Sequence, residues 1–366
     1  MIFSVERTLL CETVSNLSRV VSNKNSIPIL EGILISAKDG NINLSSYNLE
    51  TGLNKTLPAQ IKEEGSIVIS AKFFNSILHS MNGEFVNVTV DERMMCHIES
   101  GSALFDIMGM AAVDYPEIPT IAEGKKITIT AGILKEMVRQ TIFAVAPVEG
   151  TRPILTGVNF EIENGNLKLV AIDGFRLAIR QEKVNINETM NFIMSGKALS
   201  EAMKIISKED EEISIFVGRR HIAFEIEGYS FISRLLDGEF IDYKKTIPES
   251  YSQKIKVNTR EIINIIERIS LIISDNFTTP IRCIINEEET VFSCATSVGR
   301  ATERAEIKLE GIPFEIGLNS KYLLEALRSA DYENVNVCFN GGSAAVVITP
   351  ENDNSFTYMI MPMRLK

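Results

Sequence analysis

The fold is decided by the stretch RPILTGVNFEIENGNLKLVAIDGFRLAI, residues 152–179, because two further versions of it occur in the chain. IPILEGILISAKDGNINLSSYNLETGL covers residues 27–53, and TPIRCIINEEETVFSCATSVGRATERAEI covers residues 279–307. Aligning Pro28, Pro153 and Pro280 spaces the three copies by 125 and 127 residues. A period this long is typical of tandem domains and not of solenoid repeats.

A second pattern repeats with the same period. It reads SAKFFNSILHSM at 70–81, SGKALSEAMKII at 195–206 and NSKYLLEALRSA at 319–330. The pair Asp114-Tyr115 also returns as Asp242-Tyr243. These anchors predict three domains, at 1–122, 123–250 and 251–366.

Each copy has the same order of elements. An amphipathic stretch opens it, alternating strands follow, and a second helical stretch precedes the last strands. Between Val158 and Ile172, for example, Glu163-Asn164-Gly165 has the composition of a hairpin turn. The pattern predicts α+β domains with antiparallel sheets. The predicted helices cover 5–22, 70–81, 131–145, 195–208, 258–274 and 319–330.

Charge is distributed unevenly along the chain. The net charge is −11, from 37 basic and 48 acidic residues, which on average repels nucleic acid. The six predicted helices, however, contain twelve basic and seven acidic residues. Lys135 and Arg139 are spaced to share a helix face, as are Lys204 and Lys208. If the helices share one surface, that surface attracts phosphate; otherwise these side chains only solvate exposed helix faces.

Composition excludes several protein classes. Hydrophobic residues make up 45% and charged residues 23%, a globular mixture. No apolar run approaches the roughly 18 residues of a membrane helix, and Glu6 and Arg7 interrupt any signal-peptide core. We expect a cytoplasmic protein with reduced thiols at its five cysteines, which form no CxxC pair.

No catalytic motif is present in the sequence. HExxH, GxxxxGK[ST], GxSxG and GxGxxG are all missing. His79, His97 and His221 have no ligand-like spacing, and the acidic run 209–212 is typical of a solvated loop. We therefore expect no enzyme activity, no metal and no cofactor. The apolar, methionine-rich end MIMPMRLK, residues 359–366, favours an adaptable contact surface instead.

At DGFRLA, residues 173–178, and MPMRL, residues 361–365, the chain closely resembles the bacterial sliding clamps, the β subunits of DNA polymerase III. The resemblance spans the whole length and implies a head-to-tail homodimeric ring with helices lining the hole. Such a ring encircles duplex DNA without sequence preference and tethers the polymerase. It is a non-catalytic processivity subunit of the polymerase holoenzyme, a DNA-directed DNA polymerase. It is located in the cytoplasm at the nucleoid, and an ATP-driven clamp loader and repair proteins are further partners.

The resemblance also implies site residues. Partner peptides of the family bind a groove that here corresponds to Leu155, Ile172, Gly174, Phe175, Arg176, Leu177, Ile241, Lys245, Thr246, Ile360, Met361, Pro362, Met363 and Arg364. DNA would face Arg7, Lys24, Lys72, Lys135, Arg139, Lys197, Lys204, Arg260 and Lys321. The dimer contact would involve Phe105 and Ile107 on one chain and Ile272 and Ile273 on the other, although the last two also fit an intradomain core.

This chain departs from the common pattern at the groove. Ile172, Phe175 and Ile241 stand where threonine, histidine and proline are frequent, so the pocket is more apolar and its peptide preference is open. Lys24 replaces a frequent arginine and keeps the charge.

Two alternatives remain open. One is an enzyme with a cleft in which Asp173, Arg176 and Asp242 are the polar groups. The other is a peptide-binding ring scaffold without DNA function.

Overall fold

The computed structural model describes residues 1–21, 27–186, 188–273 and 279–365, and Lys24 lies outside these ranges. Six α-helices occur in the described residues: α1 Arg7–Ser18, α2 Ala71–Ser80, α3 Ala131–Arg139, α4 Gly196–Met203, α5 Thr259–Ser270 and α6 Ser320–Ala330.

The strands follow the repeat. The first copy contains β1 Ile2–Glu6, β2 Gly32–Lys38, β3 Asn41–Tyr47, β4 Thr51–Pro58, β5 Gln60–Glu63, β6 Gly65–Ser70, β7 Phe85–Val90, β8 Met95–Ser100 and β9 Ala103–Met108. The second contains β10 Lys125–Thr130, β11 Gly157–Glu163, β12 Asn166–Ile172, β13 Arg176–Lys183, β14 Met190–Ser195, β15 Glu212–Val217, β16 His221–Ile226 and β17 Tyr229–Leu236. The third contains β18 Gln253–Asn258, β19 Ile281–Ile285, β20 Glu289–Ala295, β21 Arg300–Glu306, β22 Leu309–Glu310, β23 Phe314–Leu318, β24 Asn334–Phe339, β25 Val346–Pro350 and β26 Phe356–Ile360.

The predicted α+β class is confirmed: the chain consists of three tandem domains of helices and antiparallel sheets. Helix α5 illustrates why these segments fold as they do. Its isoleucines 262, 265, 266 and 269 recur on one face and are buried there. The side chain of Asn258 caps the helix by accepting a hydrogen bond from the backbone N–H of Glu261 (3.1 Å).

Contacts divide the chain into two compact units, residues 1–133 with 197–235, and residues 134–196 with 236–366. In the first unit, β10, β15, β16, β17, β4, β3, β2 and β6 pair in this order, and a smaller sheet has the order β5-β1-β7-β8-β9. Helices α1 and α2 pack against each other.

The second unit repeats this plan. Strands β14, β11, β12, β13, β26, β25, β24 and β18 pair in this order, and a smaller sheet has the order β21-β20-β19-β23. Helices α5 and α6 pack against each other.

In each unit a strand of one repeat pairs with the last strand of the following repeat. β4 pairs with β17, and β13 pairs with β26, both antiparallel. Because this pairing joins half of the central repeat to each outer repeat, the compact units cut across the predicted borders. The borders 1–122, 123–250 and 251–366 therefore stay a prediction.

One detail of the repeat differs from the expectation. Pro28 and Pro153 each open a 3-10 turn four residues before a strand, whereas Pro280 directly precedes β19. Counted back from the hairpin pairs Glu163–Asn166 and Asn286–Glu289, the third proline corresponds to Gly157 and not to Pro153. The hairpin Glu163-Asn164-Gly165 is as expected, and Asn164 and Gly165 both have positive φ.

The helices are shorter than predicted. α4 ends at Met203, so Lys204 and Lys208 lie beyond it and share no helix face. Within the observed helix bounds, nine basic and six acidic residues remain, so the excess of positive charge falls from five to three.

None of the described helices is long and apolar enough to cross a membrane. The five cysteines are free thiols.

Candidate functional site

An apolar cluster in the second unit contains four of the predicted groove residues. Leu155, Ile172 and Leu177 are buried in it, and Ile241 packs against it. The cluster also contains residues that the predicted set omits: Ala146, Val170, Ile179, Tyr243, Cys338, Val347 and Met359. Tyr243 could have been found from the sequence, since the Asp-Tyr pair repeats, but Cys338 and Val347 join only through the pairing of distant strands.

The rim of this cluster is formed by a tight turn after β12. The Oδ1 atom of Asp173 accepts hydrogen bonds from the backbone N–H groups of Phe175 (2.8 Å) and Arg176 (2.9 Å). Gly174 has φ +93°, which a residue with a side chain rarely adopts. As a result the large apolar side chain of Phe175 projects into solvent and is 62% exposed.

The C-terminal tail lies beside this turn. Ile360 is buried and pairs with Arg176 at the end of β26. The backbone N–H of Met361 then donates to the carbonyl of Phe175 (2.8 Å), and that of Met363 donates to the carbonyl of Gly317 (2.8 Å). Residues 361–363 are therefore held at two points. The side chain of Met361 is 42% exposed beside Phe175, whereas those of Pro362 and Met363 are half-buried and that of Arg364 is exposed.

The segment 241–246 supplies polar groups. The Oγ1 atom of Thr246 donates to the carbonyl of Tyr243 (2.6 Å), and Lys245 forms an ion pair with Asp242 (2.7 Å). The hydrogen bond from Lys245 lowers the pKa of the Asp242 carboxyl. The Tyr243 hydroxyl donates to Glu161 (3.0 Å), and burial raises the pKa of Tyr243.

Arg176 does not point into this groove as a free cation. Its side chain is 8% exposed, and its Nε atom donates to the Oδ2 atom of Asp173 (2.9 Å). Its Nη1 atom donates to Glu325 of α6, and its guanidinium lies 4.3 Å from the ring centre of Tyr322. Because Asp173 and Arg176 bind each other, neither is available as the acid or base of the enzyme alternative.

The predicted DNA-facing residues that the structure describes fall into three groups. Lys72, Lys197 and Arg260 are exposed and form no ion pair within the described residues. Arg139 and Lys204 instead bind Glu136 and Glu201 (2.7 Å each). The remaining predicted residues on helices are Arg7, whose Nε atom donates to the Gly83 carbonyl (2.8 Å), Lys135 and Lys321.

Two sheet edges carry the predicted dimer residues. Strand β9 ends its sheet, and Phe105 is 36% exposed there beside the more exposed Leu104 and Met108, while Ile107 is half-buried. Strand β21 ends its own sheet. Ile272 and Ile273 are half-buried after α5, where the Ile272 carbonyl accepts a hydrogen bond from Thr296 (3.1 Å).

In the part of the chain that the structure describes, no group of three or more His, Cys, Asp and Glu side chains is arranged to hold a metal ion.

Comparison with known proteins agrees with this geometry. Models of the three domains of the DNA polymerase III beta subunit match the chain: the N-terminal domain at residues 1–119, the central domain at 128–242 and the C-terminal domain at 244–364. The beta sliding clamp of Staphylococcus epidermidis is 33% identical over 375 residues, which covers 100% of this chain and 99% of that protein.

Solved structures give the same result. The DNA polymerase sliding clamp of Bacillus subtilis superposes with a TM-score of 0.96 at 31% identity, over 100% of both chains. A DNA polymerase III beta subunit of Eubacterium rectale superposes with a TM-score of 0.95 at 30% identity, over 99% of both chains.

Proposed function

Because this chain belongs to the family of the DNA polymerase III beta subunit, we propose that two copies pair head to tail into a ring that encircles duplex DNA. The protein is a DNA sliding clamp that serves replication. In the proposed ring it is non-catalytic, located in the cytoplasm at the nucleoid, and loaded by an ATP-driven partner.

One observation supports the proposed ring. Within the described residues, strand pairing joins consecutive repeats, but one strand of the first repeat and one of the third have no such partner. β4 pairs with β17 and β13 pairs with β26, yet β21, the third strand of this kind, ends its sheet. β9, the first-repeat counterpart of β17 and β26, also ends its sheet. An unpaired edge is a template for another chain. Pairing β9 of each copy with β21 of the other completes the series and closes the ring.

The two internal junctions predict the register of this contact. Asn54 lies opposite Ser230, and Ile179 lies opposite Thr357. Counted from the hairpins of each repeat, the corresponding pair is Leu104 of one copy and Thr302 of the other. The same register places Asp106 opposite Arg300, which brings opposite charges together.

The chemistry of both edges supports this contact. Leu104 and Met108 are more than half exposed on β9. Leu271, after α5, and Val298, before β21, are more than four-fifths exposed. Exposed apolar side chains on a sheet edge are unusual in a monomer and typical of an interface.

DNA is held in this proposal by screened attraction to basic side chains on the helices. Among the described residues, Lys72, Lys197 and Arg260 form no ion pair with a carboxylate. They are therefore the strongest candidates to release counterions on meeting phosphate. Weak contacts without base readout permit sliding.

The groove around Leu177 and Phe175 would receive short apolar anchors of the polymerase, the loader and repair proteins.

Cross-linking tests the closure. In a chain carrying Leu104→Cys and Thr302→Cys, oxidation should give a covalent dimer on a denaturing gel, because paired strands bring Cβ atoms within disulfide reach. The matched control carries Leu104→Cys and Glu306→Cys, with the second cysteine four residues further along β21. It should run as a monomer on the denaturing gel. Equal cross-linking of both variants, or of neither, would contradict the proposed register.

Retention on DNA tests the clamp function. The protein is loaded with a competent loader and ATP onto a nicked circular plasmid and then separated by gel filtration. We expect comigration with the circle and loss after a single cut. Comigration that survives the cut would indicate ordinary affinity binding. Absence of comigration, together with intact cross-linking, would favour the alternative of a peptide-binding scaffold.

A further inference from the structure

We infer that Glu325 of α6 is a positioning residue of the partner groove, and that it acts through the buried guanidinium of Arg176. This inference rests on the proposed groove and adds a residue that lies outside it. The guanidinium of Arg176 lies between two carboxylates, Asp173 and Glu325, and is almost fully buried.

Burial leaves Arg176 little access to a ligand, since its side chain is 8% exposed. Nε is used by Asp173 and Nη1 by Glu325, and the plane of the group lies 4.3 Å from the Tyr322 ring centre and 5.5 Å from that of Phe143. A buried guanidinium keeps one orientation when planar partners hold it on several sides. Arg176 therefore fixes its neighbours in place and offers little to a ligand.

Hydrogen bonds connect Arg176 to the residues at the rim of the groove. Asp173, which Arg176 holds through Oδ2, uses its Oδ1 atom to bind the backbone N–H of Phe175. The carbonyl of Phe175 in turn accepts the hydrogen bond from Met361. Glu325 is thus the first member of a continuous chain of contacts that ends at the two exposed apolar side chains of the rim, Phe175 and Met361.

Removing the Glu325 carboxylate should loosen this rim. In Glu325→Ala the Nη1 donor of Arg176 loses its acceptor. Because a buried donor without an acceptor is unfavourable, the side chain should turn toward water. Asp173 then loses the group that orients it. Glu325→Gln keeps an oxygen acceptor at the same place and should restore most of the wild-type behaviour.

The control is Glu267→Ala. Glu267 lies on α5, in the same unit, and binds Arg328 with both side chains exposed. This variant also removes one helix carboxylate from an arginine, but it touches no part of the rim.

Two measurements test the inference. The first is the dissociation constant for fluorescein-labelled hexapeptides ending in Leu-Phe, which supply an apolar anchor. We expect Glu325→Ala to bind about five-fold more weakly than wild type, with Glu325→Gln within two-fold and Glu267→Ala unchanged. The second is hydrogen exchange without peptide, in which 173–177 and 359–363 should exchange faster in Glu325→Ala alone.

The outcomes separate the inference from the proposed function. Wild-type affinity and exchange in Glu325→Ala would overturn the positioning role. An effect of the same size in Glu267→Ala would also overturn it, because the cause would then be general. If wild type fails to bind the hexapeptides but exchange still rises only in Glu325→Ala, the groove proposal fails and the positioning role stands.

Discussion

At the scale of the residue, the turn at Asp173 shows how a local requirement serves a site. The Asp173 side chain satisfies two backbone N–H groups, and Gly174 supplies the positive φ that turns the chain back toward β13. Both residue types favour turns for these reasons. The position of the exposed Phe175 ring follows from this geometry.

Gly174→Ala should therefore destabilise the protein by about 1–2 kcal/mol, since an L residue is strained in this region. Space is not the cause, because an added Cβ would meet no atom within 4 Å. Gly299→Ala is a matched control: its Cβ also meets nothing, and its φ is not in the left-handed region. Urea unfolding of both variants measures the difference, and equal midpoints would contradict the strain argument.

A second residue, Glu227, holds the loop that follows α4. Its carboxylate accepts hydrogen bonds from the backbone N–H groups of Ser207 (2.6 Å) and Lys208 (2.9 Å) and from the Ser207 hydroxyl (2.6 Å). Burial alone would raise the pKa of Glu227, but these hydrogen bonds outweigh it and lower the pKa. A lowered folded-state pKa means that the stabilisation is present above the unfolded pKa and is lost as pH falls through the folded one.

We expect Glu227→Gln to lower the free energy of unfolding by about 1 kcal/mol at pH 7, because Glu227 is partly exposed and hydrogen bonds to charged groups contribute on this scale. Below about pH 4 the difference should shrink, since the wild-type carboxylate is then protonated. Glu225→Gln, an exposed position on β16, should change little at either pH. A difference that stays constant from pH 7 to pH 3 would count against the role of the charge.

At the scale of the element, helix starts that look alike in the repeat are built differently. Asn258 and Asn319 accept hydrogen bonds from backbone N–H groups of α5 and α6, whereas Ser70, before α2, makes no such bond. Asparagine and serine are both good N-caps in sequence statistics. Only the structure shows which of these side chains accept the capping hydrogen bond and which does not.

Asn258→Ala should therefore destabilise the protein by about 1 kcal/mol, the usual loss for a working N-cap. Ser70→Ala should lie within about 0.5 kcal/mol of wild type, as for an ordinary surface substitution. Thermal or urea unfolding of the two variants provides the measurement. A loss at Ser70 as large as that at Asn258 would show that the capping bond is not the cause.

At the scale of the whole molecule, the negative total charge and the basic helices have opposite consequences. A net charge of −11 disfavours general adhesion to nucleic acid, while exposed lysines on the helices provide local attraction. Ion pairs within the helices reduce this attraction, because a cation already bound to a carboxylate gains less from phosphate.

Lys72→Ala combined with Lys197→Ala should weaken binding of a fluorescent 30-base-pair duplex by about threefold or more at low salt and reduce its salt dependence. Lys204→Ala, whose lysine binds Glu201 (2.7 Å), should have the smaller effect. Fluorescence anisotropy between about 50 and 200 mM salt gives both quantities. A larger effect of Lys204→Ala would contradict the distinction between paired and unpaired cations.

Features that depend on neighbours along the chain could be predicted from the amino-acid sequence. The hairpin at Asn164-Gly165, the isoleucine face of α5 and the turn at Asp173-Gly174 are all encoded within a few residues. Their period of about 125 residues revealed the repeated architecture. The resemblance at residues 173–178 and 361–365 predicts a groove, and four of its apolar residues, Leu155, Ile172, Leu177 and Ile241, belong to one cluster.

The tertiary structure decided what depends on distant partners. That β4 pairs with β17, that β9 and β21 end their sheets, and that Arg176 is buried against Glu325 cannot be deduced from local pattern. The physical reason is that local hydrogen bonding and side-chain periodicity fix an element. Which edges meet, and which charges are removed from water, is settled only when distant segments pack together.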